Sequence, residues 1–264
     1  MALRNKILCC LLTIFILGAS VFSSIAAENP SFNWYCKRTK DHTQPTLPTE
    51  FLFIQEENAY YVDTQHSNPN AEEKVIYLTF DAGYENGNVA KILDILNKNH
   101  VPAAFFILTH LVDQFPDLVQ RMAEEGHLIC NHTSKHKDMS KMANEEDFKN
   151  EIEALEIFYR QKTGKEIAKF FRPPEGKFNR QTLKNATALG YTTIFWSFAY
   201  ADWDNKNQMA PSAAKKKILD HIHNGEILLL HPTSSTNVAI LDDVIQTLKA
   251  DGYRFASLNE LSKA

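Results

Sequence analysis

The sequence predicts an α/β fold in which a parallel sheet closes, or nearly closes, into a β/α barrel. Three observations predict it. Apolar runs of strand length alternate with amphipathic helical segments from residue 71 onward. About seven such units follow one another in fewer than ~200 residues, a rhythm that suits a closed sheet better than an open one. No Gly-x-Gly-x-x-Gly follows any of the strands and no Gly-x-x-x-x-Gly-Lys-Ser/Thr occurs, so the competing open, doubly wound sheet has no nucleotide-binding signature to support it.

The elements follow in order. Val75–Phe80 reads as a buried strand, Val89–Asn99 as a helix and Ala103–Leu108 as a second strand. Leu118–Glu125 is helical and stops at Gly126, which accepts the left-handed backbone of a helix end. His127–Cys130 is a short strand. Glu145–Thr163 carries helical spacing through Phe148, Ile152, Leu155 and Phe158–Tyr159 and stops at Gly164. Lys169–Phe171 is the next strand, Gln181–Leu189 a helix, Tyr191–Trp196 a strand and Ser212–His223 a helix. Glu226–Leu230 and the helix Val238–Ala250 complete the series, and His221 and His223 are expected at the surface.

Two segments precede this body. Arg4 and Lys6 lead into an apolar run from Ile7 to Phe22, then into Ser23-Ser24-Ile25-Ala26-Ala27 and Glu28, the pattern of a secretory signal. The run is shorter than the ~20 apolar residues that a spanning helix prefers. Residues 1–26 are therefore expected to be removed on export, leaving no stable membrane span; an uncleaved anchor is the alternative. Residues 27–70, with Pro30, Pro45, Pro48 and a polar tract at 64–70, lack periodicity and are read as an N-terminal wrap. Aromatic clusters such as Phe32-Asn33-Trp34-Tyr35 pack it onto the main domain, residues 71–264.

The chain has 264 residues, 44% hydrophobic and 23% charged, with a formal net charge of -4. That composition supports a full core and excludes the basic field of a nucleic-acid partner. Cys9 and Cys10 fall in the leader, and neither follows the small-residue stretch where a lipid anchor would attach. Cys36 and Cys130 lack the spacing of a zinc ribbon; they form one disulfide or remain two buried thiols.

In parallel α/β architectures the working residues gather where strands end. Asp81, Asn131–His132, Arg172, Asp202 and His231 each follow one of the apolar runs, which sets them on one rim. His132 and His136 are four apart, a spacing that brings both imidazoles to one side of a helical turn as two nitrogen ligands for a divalent metal. Beside a metal-activated water Asp81 is a general base, and a rim guanidinium at Arg172 would hold it ionised. Taken singly, each has a structural reading: a turn carboxylate, a surface pair of histidines, an arginine on a surface acid.

In order, Thr79-Phe80-Asp81-Ala82-Gly83, His132-Thr133-Ser134-Lys135-His136, Arg172-Pro173-Pro174-Glu175-Gly176, Asp202-Trp203 and Leu229-Leu230-His231-Pro232 resemble the five motifs of the polysaccharide deacetylase family of carbohydrate esterases. The stretch Asp81-Ala82-Gly83-Tyr84-Glu85-Asn86-Gly87 is most similar to the delta-lactam-biosynthetic de-N-acetylase branch, which acts on N-acetylmuramic acid in spore-cortex peptidoglycan. The resemblance implies a distorted (β/α) barrel and metal-assisted removal of an N-acetyl group. It implies Asp81 as base, His132 and His136 as metal ligands, Arg172 as partner of Asp81, and His231 as acid supported by Asp202. Tyr84, Pro173, Trp203 and Lys177 then contact substrate. The implied setting is a monomer acting on glycan strands in the cell wall or the intermembrane space of a developing spore.

Two positions depart from the family. Ala82 stands where most members have a second metal-binding Asp, so weak binding of a divalent ion of unspecified identity is expected. Glu175 stands where the muramic branch often carries a basic residue, and Lys177 is the substitute cation for a lactyl carboxylate. The competing readings are a deacetylase of N-acetylglucosamine in peptidoglycan or chitin-like chains and a catalytically silent glycan-binding domain.

Overall fold

The computed structural model describes residues 29–261; the expected leader at residues 1–26 lies outside the described residues. The chain begins with β1 (Phe32–Asn33), a 3-10 segment at Thr49–Glu56 and β2 (Ala59–Tyr60). It continues through β3 (Lys74–Ala82), α1 (Val89–Asn99), β4 (Ala104–Ile107), α2 (Thr109–Gln114), α3 (Pro116–Glu124), β5 (Leu128–Asn131) and α4 (Glu145–Thr163). Then come β6 (Ala168–Phe171), β7 (Lys177–Phe178), α5 (Arg180–Ala188), β8 (Thr192–Ile194), α6 (Pro211–Leu219), β9 (Glu226–Leu230), α7 (Ser235–Ala250) and β10 (Tyr253–Phe255).

The main sheet is parallel throughout. β3 pairs with β9, β10 and β4, and from β4 the order runs β5, β6, β8, β2. The sheet curls until its far end meets β9: Phe198, beyond β8, bridges Leu228, and Val62, beyond β2, bridges Glu226. This is the expected α/β class, a distorted barrel whose seam is closed by short bridges instead of a full ladder.

The alternation within β3 explains both the core and the placement of the site. Val75 and Tyr77 point into the barrel with Ala104, Phe106, Cys130, Ile194 and Ile227. Ile76, Leu78, Phe80 and Ala82 point the other way, into the layer of α1 and α7 with Ile92, Leu96, Leu241 and Leu248. A strand buried on both faces reads as the unbroken apolar run seen in the sequence. With a side-chain period of two, the next inward positions after Tyr77 are Thr79 and Asp81, so the register that fills the barrel also delivers a carboxylate to its mouth.

The N-terminal segment packs on this body. Trp34 stacks on Phe195 with ring centroids 4.4 Å apart and donates from Nε1 to the Trp196 carbonyl at 2.9 Å. Gly176, at φ +67°, lies so close that an added Cβ would stand 2.8 Å from the Trp196 ring and 2.9 Å from Trp34 Cβ. Burial of Trp34, Phe51 and Phe178 stabilises this seam by about 2–3 kcal/mol per side chain. Cys36 and Cys130 are both free thiols.

Three local expectations are corrected. The strand expected to reach Trp196 stops at Ile194 because the carbonyls of Ile194 and Phe195 accept from the Arg172 guanidinium instead of a neighbouring strand. The helix expected to reach His223 ends at Leu219, and His223 is buried, not at the surface. Its ring bridges Ser197 Oγ (2.9 Å) and Glu226 Oε2 (3.0 Å), which ties the closing strand to the turn before it. His132 and His136 lie on an irregular loop and not on a helical turn: Thr133 (φ 74°) and His136 (φ 56°) both adopt left-handed backbone.

Candidate functional site

Arg172 follows β6 and is 0% exposed. All three of its nitrogens donate: Nη1 to Asp81 Oδ1 (2.9 Å), Nη2 to Thr79 Oγ1 (3.0 Å) and the Phe195 carbonyl (3.2 Å), and Nε to the Ile194 carbonyl (2.9 Å). The guanidinium also lies 4.2 Å from the Phe106 ring centroid. Only a planar, five-donor cation can satisfy this set. Burial pushes the Asp81 carboxyl upward, but His132, Arg172 and His231 around it more than offset that and hold it below the usual carboxylate range.

His132 is placed by β5 and by β6. Its backbone N–H donates to the Ile107 carbonyl (3.1 Å), and Nδ1 is 2.8 Å from the Arg172 carbonyl. A carbonyl only accepts, so Nδ1 carries the proton and Nε2 is left with its lone pair, 3.5 Å from Asp81 Oδ2. Burial lowers the His132 pKa to about 4, so the ring is neutral at neutral pH. His136, exposed, brings its ring centroid to 5.1 Å from that of His132. Its backbone N–H donates to Thr133 Oγ1 at 2.9 Å, which closes the loop between the two imidazoles.

Across the mouth, His231 follows β9. Asp202, 1% exposed, accepts from His231 Nδ1 and from the His231 backbone N–H, each at 2.8 Å. Asn237, on the first turn of α7, donates to Asp202 Oδ2 (2.6 Å) and to the His231 carbonyl (3.0 Å). Tyr200 in turn donates to Asn237 Oδ1. Burial alone would lower the His231 pKa, but the hydrogen bond and charge of Asp202, with Asp81 behind them, raise it above the ordinary imidazole value.

The structure therefore brings together Asp81, Arg172, His132, His136, Asp202 and His231. Tyr84 and Trp203 are exposed on the neighbouring loops at 60% and 64%, and Tyr84 packs on His110 with ring centroids 4.7 Å apart. Pro173, expected to touch substrate, is buried; it shapes the turn that carries Glu175. Lys177, expected to present a free cation, is paired with Glu175 Oε2 at 2.7 Å. Ala82 is buried in the layer between sheet and helices. Thr79, Asn237 and Glu151 were not singled out by sequence reading. Asn237 and Glu151 carried a signal: each is a polar residue in an otherwise apolar helical stripe, 237-240-241-244 and 148-151-152-155.

Among the described residues no group of three or more His, Cys, Asp or Glu is placed to enclose a metal ion. The donor set nonetheless fits a divalent transition ion held by two imidazoles. One ring is neutral and locked in the ligating tautomer by its carbonyl partner, and the other stands beside it, with Asp81 Oδ2 or water available as further donors. Chemically, the arrangement offers a carboxylate whose ionised form is favoured by a guanidinium and, opposite, an imidazole whose protonated form is favoured by a carboxylate.

Residues 68–194 match the family model described as polysaccharide deacetylase. Over 255 residues the chain is 37% identical to peptidoglycan-N-acetylmuramic acid deacetylase PdaA of Bacillus subtilis, covering 96% of this chain and 94% of that protein. It is 34% identical over 187 residues to a peptidoglycan-N-acetylglucosamine deacetylase of Bacillus cereus, covering 69% and 66%. The solved structure of Bacillus subtilis PdaA, a family 4 carbohydrate esterase, superposes with a TM-score of 0.82 at 38% identity, over 89% of this chain and 97% of that one.

Proposed function

Since the chain belongs to the polysaccharide deacetylase family and is a carbohydrate N-deacetylase, we propose that it removes the N-acetyl group from N-acetylmuramic acid in peptidoglycan. The free amine produced can close on the lactyl group as the muramic δ-lactam of spore cortex. In this reading residues 1–26 are a leader removed on export, residues 27–70 a wrap, and residues 71–264 the catalytic domain, acting as a monomer in the cell wall or the intermembrane space of the developing spore.

The observation that carries the chemistry is the opposed pair, Asp81 fastened to Arg172 and His231 fastened to Asp202. An acetamide is a weak electrophile with a poor leaving amine, so its hydrolysis needs both a base and an acid. A divalent ion held by His132 and His136 would polarise the acetamide carbonyl and lower the pKa of the attacking water. Asp81 Oδ2, the oxygen not taken by Arg172, accepts the proton of that water. His231, protonated at Nε2, donates to the nitrogen as the C–N bond breaks, while Nδ1 remains on Asp202. Arg172 keeps Asp81 charged and aimed throughout. A backbone N–H near Tyr84 assists the developing oxyanion, and the exposed faces of Tyr84 and Trp203 offer sugar rings an apolar surface.

Support for muramic acid is the nearly full-length similarity to a muramic relative, against about two thirds of the chain for the glucosamine relative. One observation favours the second reading, a deacetylase of N-acetylglucosamine: the Glu175–Lys177 pair neutralises the cation that a lactyl carboxylate would seek. The test is mass spectrometry of peptide-free muramic strands and N-acetylglucosamine oligomers treated with the purified chain, with and without divalent metal, and with Asp81→Asn as control. Acetyl loss confined to muramic residues and absent in the control is expected. Loss only from glucosamine moves the assignment to the second reading, and no loss from either under any metal leaves a glycan-binding domain.

A further inference from the structure

The buried stripe of α4 contains one charge. Glu151 is 5% exposed, in line with Phe148, Ile152 and Leu155, where a carboxylate is tolerated only if it is fully partnered. Its partners all lie on one segment. Oε1 accepts from the Lys135 backbone N–H (2.5 Å), Oε2 pairs with Lys137 Nζ (3.2 Å), and its own main-chain carbonyl accepts from the Ser134 backbone N–H (3.0 Å). Three attachments thus land on residues 134, 135 and 137, around His136.

That loop needs outside support. Thr133 and His136 are non-glycine residues held at φ 74° and 56°, conformations that persist only when the surroundings over-determine them. The Asn131 side chain fixes the first end of the loop by accepting from the Thr133 backbone N–H (2.8 Å). The second end, which carries the exposed His136 ring, has only the Thr133 hydroxyl within the loop itself. With no strand or helix at 132–138, the backbone angle that turns His136 toward His132 is imposed from α4.

We infer that Glu151 is a positioning residue for the metal-binding loop: by fastening Ser134, Lys135 and Lys137 to α4 it holds His136 beside His132. The inference rests on the reading of His132 and His136 as ligands. Two imidazoles hold one ion only when both are aimed at it, so affinity depends on the support given to the loop that carries His136.

The test is Zn²⁺ affinity, measured by competition with a chromophoric chelator, for the unaltered chain and for Glu151→Gln, Lys137→Met, His132→Ala and His136→Ala, alongside the melting temperature of each metal-free protein. Glu151→Gln keeps the size of the side chain but removes the charge that pairs with Lys137 and that strengthens the hydrogen bond from the Lys135 backbone N–H, while the main-chain contact with Ser134 stays. It is expected to weaken Zn²⁺ binding about 10- to 100-fold, and Lys137→Met by less, with both metal-free proteins still melting cooperatively. The deacetylation deficit of Glu151→Gln then narrows as Zn²⁺ is raised, whereas that of His136→Ala does not. If His132→Ala and His136→Ala lose affinity while Glu151→Gln binds as tightly as the unaltered chain, the role of Glu151 is refuted. If neither histidine variant changes Zn²⁺ affinity, the ligand reading is itself wrong and this inference falls with it.

Discussion

Asp202 grips His231 twice, one carboxylate oxygen on the ring Nδ1 and the other on the backbone N–H of the same residue, each at 2.8 Å. The two contacts fix both the tautomer and the direction of the ring, and they raise its pKa.

Replacing that carboxylate separates the two effects. In Asp202→Asn the ring keeps a neutral partner of similar shape but loses the charge that stabilises imidazolium. The acid must be protonated to release the amine, so the alkaline limb of the kcat–pH profile moves to lower pH and kcat falls about 100-fold. An unchanged alkaline limb would remove His231 from the role of acid.

Arg172→Lys tests the other side of the mouth. A single ammonium cannot reach Asp81, Thr79 and the two carbonyls together, so buried acceptors are stranded. Stability is expected to fall by about 3 kcal/mol, and kcat/KM by more than ten-fold because Asp81 is no longer aimed. Denaturant midpoints and steady-state kinetics measure both, and near-normal values for both would show that the fork is dispensable.

Acid sensitivity follows from buried neutral imidazoles. His127 and His132 are each lowered by burial to about 4. The unfolded chain binds protons from about pH 6.5 downward while the folded chain resists until about pH 4, so stability falls as pH drops through that window. The raised pKa values of His231 and His223 have the opposite sign: their contributions are full below the unfolded value and are lost as pH rises through the folded ones. Melting temperatures recorded from pH 7.5 to 4.5 for the unaltered chain and for His127→Gln isolate one neutral ring: the unaltered chain should lose more stability below 6.5 than the variant, and parallel curves would contradict a neutral His127.

Ala82→Asp puts a carboxylate at the end of β3 on the face that packs against α1 and α7. The new charge is buried and unpaired, at a cost of at least ~2 kcal/mol. Because it faces away from His132 and His136, Zn²⁺ affinity is expected to stay unchanged and the lost stability not to be recovered by adding the ion. A gain in Zn²⁺ affinity, read by chelator competition, would show that residue 82 turns into the mouth.

The rim was legible because each of its residues directly follows an apolar run, and the strand ends deliver them to one mouth. Asp81 and Arg172 are the clearest instance: the alternation that buries Val75 and Tyr77 fixes where Asp81 points. What the sequence hid was tertiary. The end of β8 depends on a guanidinium from β6, α2 is a helix of only six residues, and His223 is buried by its bonds to Ser197 and Glu226. The spacing of His132 and His136 suggested a helical turn, whereas two left-handed residues create the same proximity. Asn237 and Glu151 were readable in principle, since a polar residue in an apolar stripe demands a partner.

The seam between the two ends of the sheet also governs the order of folding. Trp34 reaches the Trp196 carbonyl across 162 positions of chain, and Val62 meets Glu226 only once β9 exists. During synthesis, the first described segment has nothing to close against until the last strands arrive. Loop-closure entropy makes such distant pairing slow, and until it happens the edge of β8 is open to strands of other chains.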